Sequence, residues 1–296
     1  MVRKVIHIPR ALVTEQVKIH GEEGRAFIAG LPDLVAEFLE RWDLRTDGPP
    51  MHGVCALVLP VTAADGTPAV LKLQRVDEES AGEPAALRLW GGGSAVRMLR
   101  HDGRTGALLL ERLDSTRTLS RLDDVHEAVP VVAGLLERLT SVPAPAGLRR
   151  LGDLAQAVLD RTPRALDRIP DPDDRRLLAD CAAAVREVAA EPGDRLLHWD
   201  LHYDNVLAAD RAPWLAIDPK PLAGDPGFEL WPALRNRFDP DDVPWRFDAM
   251  TETLGLDRPR ARAWTLGRLL QNALWDIENA RPPARADLEL GRRLRG

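Results

Sequence analysis

The chain has 296 residues, 45% of them hydrophobic, and 46 acidic against 40 basic side chains give a formal charge of −6. Length and apolar content suffice for a full core and exclude global disorder. The acidic balance excludes a general nucleic-acid binder, which needs a basic face to neutralise phosphates.

Met1 to Lys4 is basic but has no apolar run after it, so it does not read as a signal peptide, and no stretch reaches the ~20 apolar residues that span a bilayer. Leu31, Leu34, Val35, Phe38, Leu39 and Trp42 recur at helical spacing, with Asp33, Glu37, Glu40 and Arg41 between them. This predicts an amphipathic helix over 31–42. Asp47-Gly48-Pro49-Pro50 breaks the pattern. Val54 to Val61 and Ala69 to Leu73, joined by Ala64-Asp65-Gly66-Thr67, predict a hairpin. Glu83-Pro84 opens a helix that Gly91-Gly92-Gly93 ends. Strand-like runs follow at 95–99 and 106–110. Beyond Glu111 the chain reads as mostly helical: an apolar face from Val125 to Leu139, an alanine- and leucine-rich stretch over 173–190, and another helix over 260–279. A short β excursion interrupts it at 206–208 and 214–217. Cys55 and Cys181 lie far apart and outside any C-x-x-C spacing. A disulfide framework is not expected, and a reducing cytoplasm is.

Three segments carry chemistry. His198, Asp200 and Asn205 stand together in His-Trp-Asp-Leu-His-Tyr-Asp-Asn; Asp218 follows Asn205 by thirteen residues in Ile-Asp-Pro; Lys72 precedes Glu83 by eleven. Phosphoryl transfer needs a carboxylate to orient or accept the proton of the attacking hydroxyl, hard oxygens for Mg²⁺, and a cation on the nucleotide phosphates. Asp200 suits the first role, Asn205 and Asp218 the second. Lys72, held extended by Glu83, suits the third. The bland alternative for Lys72 is a surface lysine on an alternating strand, and for Glu83 a helix N-terminal carboxylate. Trp231 and Trp245 sit among Glu229, Asp239, Asp241, Asp242, Asp248 and Glu252. That region is either a solvated acidic face or a pocket for guanidinium or ammonium groups.

The order H-x-D-x-x-x-x-N followed by I-D resembles the catalytic and metal loops of the kinase superfamily. The variant at 198–205, with Ile217-Asp218-Pro219-Lys220-Pro221 and Gly224-Asp225-Pro226-Gly227-Phe228-Glu229-Leu230, is similar to aminoglycoside phosphotransferases. Within them it resembles the streptomycin 6-phosphotransferase and hydroxyurea phosphotransferase group. The likeness spans roughly 31–279 and is most specific over 196–237. It implies an α+β, two-lobed protein-kinase-like fold: a small antiparallel-sheet N-terminal lobe (1–112) with one main helix, and a larger helical C-terminal lobe (113–296). It also implies ATP, Mg²⁺, and a hydroxyl of a cationic aminocyclitol antibiotic, with streptomycin foremost, and resistance as the outcome. By the same likeness, residues 109–113 form the adenine hinge, with Glu111 and Leu113 contacting nucleotide, and Gly53 covers phosphate. Asp225 braces the loop by that likeness too, whereas the residues themselves suggest that His198 fixes the loop backbone by hydrogen bonding, that His202 is either structural or lines the acceptor pocket, and that Glu229 and Trp231 belong to the candidate acceptor region. Two departures stand out. The stretch 48–53 is glycine-poor for a phosphate loop, and Asp218-Pro219-Lys220 replaces the D-F-G of protein kinases. A monomer acting on a small molecule, with no membrane or nucleic-acid partner, is expected. Hydroxyurea or another small metabolite is the alternative acceptor. A non-catalytic kinase-like module is disfavoured because Lys72, Asp200, Asn205 and Asp218 are all present. A metal hydrolase built on His198, Asp200, His202 and Asp204 is disfavoured because no histidine follows His202.

Overall fold

The computed structural model describes residues 6–295. The chain divides into two compact units, Met1–Leu113 and Asp114–Gly296.

The first unit opens with α1 (Arg10–Arg41), kinked at Gly21, where φ is 56° and ψ −125°. The helix thus starts 21 residues, about six turns, before the Leu31 to Trp42 face, because residues 10–30 are interrupted by charged residues and by Gly21. A polar side chain, Gln16, fills a core-facing slot there and donates to Cys55 O at 2.8 Å. Six strands form one sheet: β1 (Leu44–Thr46), β2 (Met51–His52), β3 (Ala56–Ala63), β4 (Pro68–Gln74), β5 (Met98–His101) and β6 (Leu108–Glu111). Helix α2 (Glu83–Trp90) lies between β4 and β5 in sequence. The strand order is β1-β3-β4-β6-β5, with β2 also paired to β3, and every pairing is antiparallel. The β3–β4 hairpin sets Leu57 opposite Leu73 and Leu59 opposite Leu71, and its turn uses Gly66 at φ 85°. Strand side chains alternate between faces. Leu57, Leu59, Leu71, Leu73 and Leu109 are buried against Leu31, Val35 and Phe38 of α1. Lys72, paired in register with Val58 and Leu108, takes the other face. Strand β5 begins later than the apolar run at 95–99, and its pairing slips between Met98 and Arg100.

The second unit holds β7 (Asp114–Thr118), α3 (Val125–Thr140), α4 (Leu151–Leu166), α5 (Pro172–Val188), β8 (Arg195–Leu197), β9 (Val206–Ala208), β10 (Leu215–Ala216), β11 (Leu222–Gly224), α6 (Leu230–Arg235), α7 (Val243–Thr253), α8 (Arg258–Glu278) and α9 (Arg285–Arg295). Asp124, Asp171 and Asp257 cap the starts of α3, α5 and α8 by accepting backbone N–H groups. Strands β7, β9 and β10 form one small sheet, and β8 and β11 another. These ribbons position the loops. The segment 198–205 leaves β8 and enters β9, while 217–221 leaves β10 and enters β11, which returns to pair with β8 through Leu222 and Leu197. Both loops are therefore clamped at each end by the same two strand pairings, β8–β11 and β9–β10.

Candidate active site

Asn205 and Asp218 are brought to one end of the β9–β10 hairpin. Val206 pairs with Ala216, and Ile217 N–H donates to Asn205 O at 2.9 Å. The Asn205 side-chain amide donates to Asp200 O at 2.9 Å, which fixes the Asn205 amide and leaves its oxygen as a hard donor. Asp218 sits at φ 57°, a left-handed conformation that aspartate tolerates.

His198 is fully buried. Its Nε2 lies 3.0 Å from Ile217 O, so Nε2–H donates, and Nδ1 accepts the Asp200 N–H at 3.4 Å. Burial pushes its pKa down to about 4, so the ring is a neutral strut joining the two loops. Lys220 N–H donates to His198 O at 3.0 Å and adds a second tie. Asp200 itself is half-buried, and its Oδ2 lies 3.0 Å from Lys220 Nζ.

Between His198 and Asp200 stands Trp199 at φ 67°. For a bulky residue this is an outlier costing about 1–3 kcal/mol, kept only where surroundings over-determine it. Here they do. Trp199 N–H is shared by both oxygens of Glu229, at 2.9 and 3.0 Å, and the guanidinium groups of Arg149 and Arg268 lie 4.2 and 4.7 Å from its ring centre. Glu229 is fully buried, and burial raises its pKa to about 7 against the pull of the Trp199 and His198 N–H groups and Arg268.

In the first unit, Lys72 is 5% exposed and Glu83 1%. Lys72 Nζ lies 2.7 and 2.9 Å from the two Glu83 oxygens, and Gln74 Nε2 donates to the second at 2.6 Å. The surface-lysine reading of the alternating strand therefore fails. The pair faces α2 because α2 starts at Glu83.

The profile of the aminoglycoside/hydroxyurea antibiotic resistance kinase family matches residues 41–280. The chain belongs to this family. It is 62% identical over 296 residues to a hydroxyurea phosphotransferase of Kitasatospora aureofaciens, covering 97% of this chain and 87% of that one. It is 57% identical over 284 residues to a streptomycin 6-kinase of Streptomyces glaucescens, covering 93% and 92%. A choline/ethanolamine kinase family protein from Mesorhizobium loti shares the fold at a TM-score of 0.60 and 18% identity, covering 93% and 92%. The fold is thus α+β and protein-kinase-like, and this family member is a phosphotransferase acting on a hydroxyl group.

The other residues singled out in the sequence take the following places in this kinase. Glu229, expected near the acceptor, has no exposed surface and instead holds the Trp199 amide. Asp225, expected to brace the catalytic loop, accepts from Gly227 N–H and pairs with Arg260 Nε at 2.6 Å, so it fixes the start of the 226–229 turn against α8. The loop brace is Glu229, four residues on. Half-buried Trp231 lies 5.8 Å from the Arg268 guanidinium. His202 is half-buried, 3.6 Å from Asp204. Gly53 is exposed in the β2–β3 turn, and nothing lies within 4 Å of where a Cβ would be, so no close approach there demands glycine. Glu111 Oε1 accepts Arg97 N–H at 2.6 Å, which commits that side chain to the sheet edge, and Leu113 is half-buried at the end of its unit. The acidic stretch is largely engaged: Asp242 with Arg246, Asp248 with Arg258 and Asp241 with Arg293. These three carboxylates of the stretch are therefore ion-paired. Trp245 packs against His126, ring centres 4.1 Å apart and tilted by 49°, and is 37% exposed. Among the described residues, no helix is long and apolar enough to cross a membrane.

Proposed function

We propose that the chain transfers the γ-phosphoryl group of ATP to a hydroxyl of an aminoglycoside, with the 6-hydroxyl of streptomycin as the acceptor, and so confers resistance in the cytoplasm. The observation that carries this reading is the Asp200 carboxylate, partly exposed on a loop that His198 and Asn205 hold by hydrogen bonds. In the step, the acceptor oxygen bonds to the γ-phosphorus as the bond to the bridging oxygen breaks. ADP leaves with that electron pair, and the acceptor proton passes to Asp200. Lys72, fixed by Glu83, supplies a cation for the nucleotide phosphates. The residues fit a Mg²⁺ ion: Asn205 and Asp218 offer hard oxygens, and Mg²⁺ needs only one or two protein ligands beside water and phosphate. Bound there, Mg²⁺ neutralises charge on the phosphates. Catalysis then comes from positioning and from charges set before the reaction. Glu111 and Leu113 belong to the segment proposed to contact adenine, and His202 and Trp231 to the acceptor side.

Streptomycin as acceptor is supported by the 57% identical relative; the 62% identical relative favours hydroxyurea as the second reading. Mass spectrometry of both compounds after incubation with the protein, ATP and Mg²⁺ decides between them. A single phosphoryl gain on streptomycin supports the first reading. Gain on hydroxyurea alone replaces it with the second, and gain on neither removes both.

A further inference from the structure

Lys220 has no part in the roles assigned so far, yet its surroundings are specific. It stands between Pro219 and Pro221, whose rings fix the backbone on either side, and its own N–H is tied to His198 O at 3.0 Å. The preceding Asp218 is in the left-handed region, at φ 57°. Little freedom remains except in the side chain, and the ammonium ends 3.0 Å from Asp200 Oδ2. The side chains are 39% and 23% exposed, so solutes can reach the pair. Ion pairs this exposed contribute little to stability, about 0–1 kcal/mol. A gain in folding therefore does not explain so restrained a lysine.

The chemistry does. A bare carboxylate repels a polyphosphate brought to within reaction distance, and it has two equivalent oxygens and a free rotor with which to meet a hydroxyl. We propose that Lys220 is a positioning residue for phosphoryl transfer. Its ammonium engages Oδ2, fixes the Asp200 rotamer so that Oδ1 receives the acceptor proton, and offsets the repulsion between Asp200 and the incoming γ-phosphate. Lys220 neither gains nor loses a proton over the cycle. This rests on Asp200 being the group that orients the acceptor.

The test compares the parent, Lys220→Met, Lys220→Arg, Lys220→Ala and Asp200→Asn in steady-state transfer to whichever of streptomycin or hydroxyurea the parent phosphorylates. Lys220→Met is expected to lower kcat about ten- to a hundredfold while ATP affinity measured without acceptor stays within about twofold. Lys220→Arg should recover most of the loss. Added ethylammonium should raise the rate of Lys220→Ala and leave Asp200→Asn unmoved, a response that a structural role would not give. A Lys220→Met kcat equal to the parent's overturns the proposal. So does a loss that neither arginine nor ethylammonium recovers, or a Lys220→Met chain that cannot fold, since each makes the lysine idle or structural. A parent silent on both acceptors instead overturns the functional reading beneath it.

Discussion

Two lysine–carboxylate pairs, one in each unit, illustrate how the same chemistry serves different ends. Lys72–Glu83 is nearly sealed from water, bonded through both carboxylate oxygens and supported by Gln74. Lys220–Asp200 is a contact at 3.0 Å between groups that are 39% and 23% exposed. A sealed pair is locked, because separating it strands a charge in a poor solvent for charge. An open pair can exchange partners at little cost. The first suits a cation that must be held in one place. The second suits a carboxylate that must accept a proton in every turnover.

The contrast can be broken by thermal and denaturant unfolding of single and double variants. Lys72→Met or Glu83→Gln alone should each cost about 3–5 kcal/mol, because the remaining partner is left buried and uncompensated. The double variant Lys72→Met/Glu83→Gln should recover a large part of that loss while transfer stays abolished. If the single variants unfold like the parent, the first pair is not locked.

A second, smaller effect concerns Glu229. Its folded pKa of about 7 lies above the ordinary 4.5, so the folded chain binds this proton more tightly than the unfolded chain. Stability from the neutral acid is complete below pH 4.5 and is lost as pH rises through 7. Relative to Glu229→Gln, which cannot ionise, the parent should lose roughly 2–3 kcal/mol between pH 5 and 8. A constant difference across that range would show that Glu229 is not buried as described. His198 works in the opposite sense. Its folded pKa of about 4 lies below the ordinary 6.5, so its contribution is present above pH 6.5 and fades as pH falls through 4. The two groups thus pull the catalytic loop in opposite directions as the solution is acidified.

The smallest expected effect falls on the open pair. Lys220→Met should shift unfolding by less than about 1 kcal/mol. A loss comparable to that of Lys72→Met would erase the distinction between the two pairs.

Much of this was legible in the sequence because the relevant residues lie close together along the chain. The β3–β4 hairpin, α2 with its stops, α3 and α8 all follow from local periodicity and turn chemistry. The order His198, Asp200, Asn205, Asp218 carries the resemblance to the family within 21 residues of chain. What stayed hidden depends on burial, which pattern alone does not give. Gln16, a polar side chain that pattern assigns to a surface, turns inward to Cys55 O. Glu229 sits in an acidic stretch and reads as a surface carboxylate until α8 brings Arg268 beside it. For Lys220, the prolines on both sides are the signal of restraint in the sequence, and its approach to Asp200 is not visible there. Strands β7, β8 and β11, three to five residues between loops, have too little periodicity to be seen.

The most direct measurement is single-turnover transfer from ATP to the phosphorylated acceptor by the parent and Asp200→Asn, with nucleotide affinity measured in parallel. The substitution keeps the side chain's size but removes the proton acceptor. The expected result is a rate lower by about a thousandfold or more with ATP binding nearly unchanged. Transfer at the parent's rate, or a loss that merely follows weakened ATP binding, would contradict the role given to Asp200 and with it the mechanism.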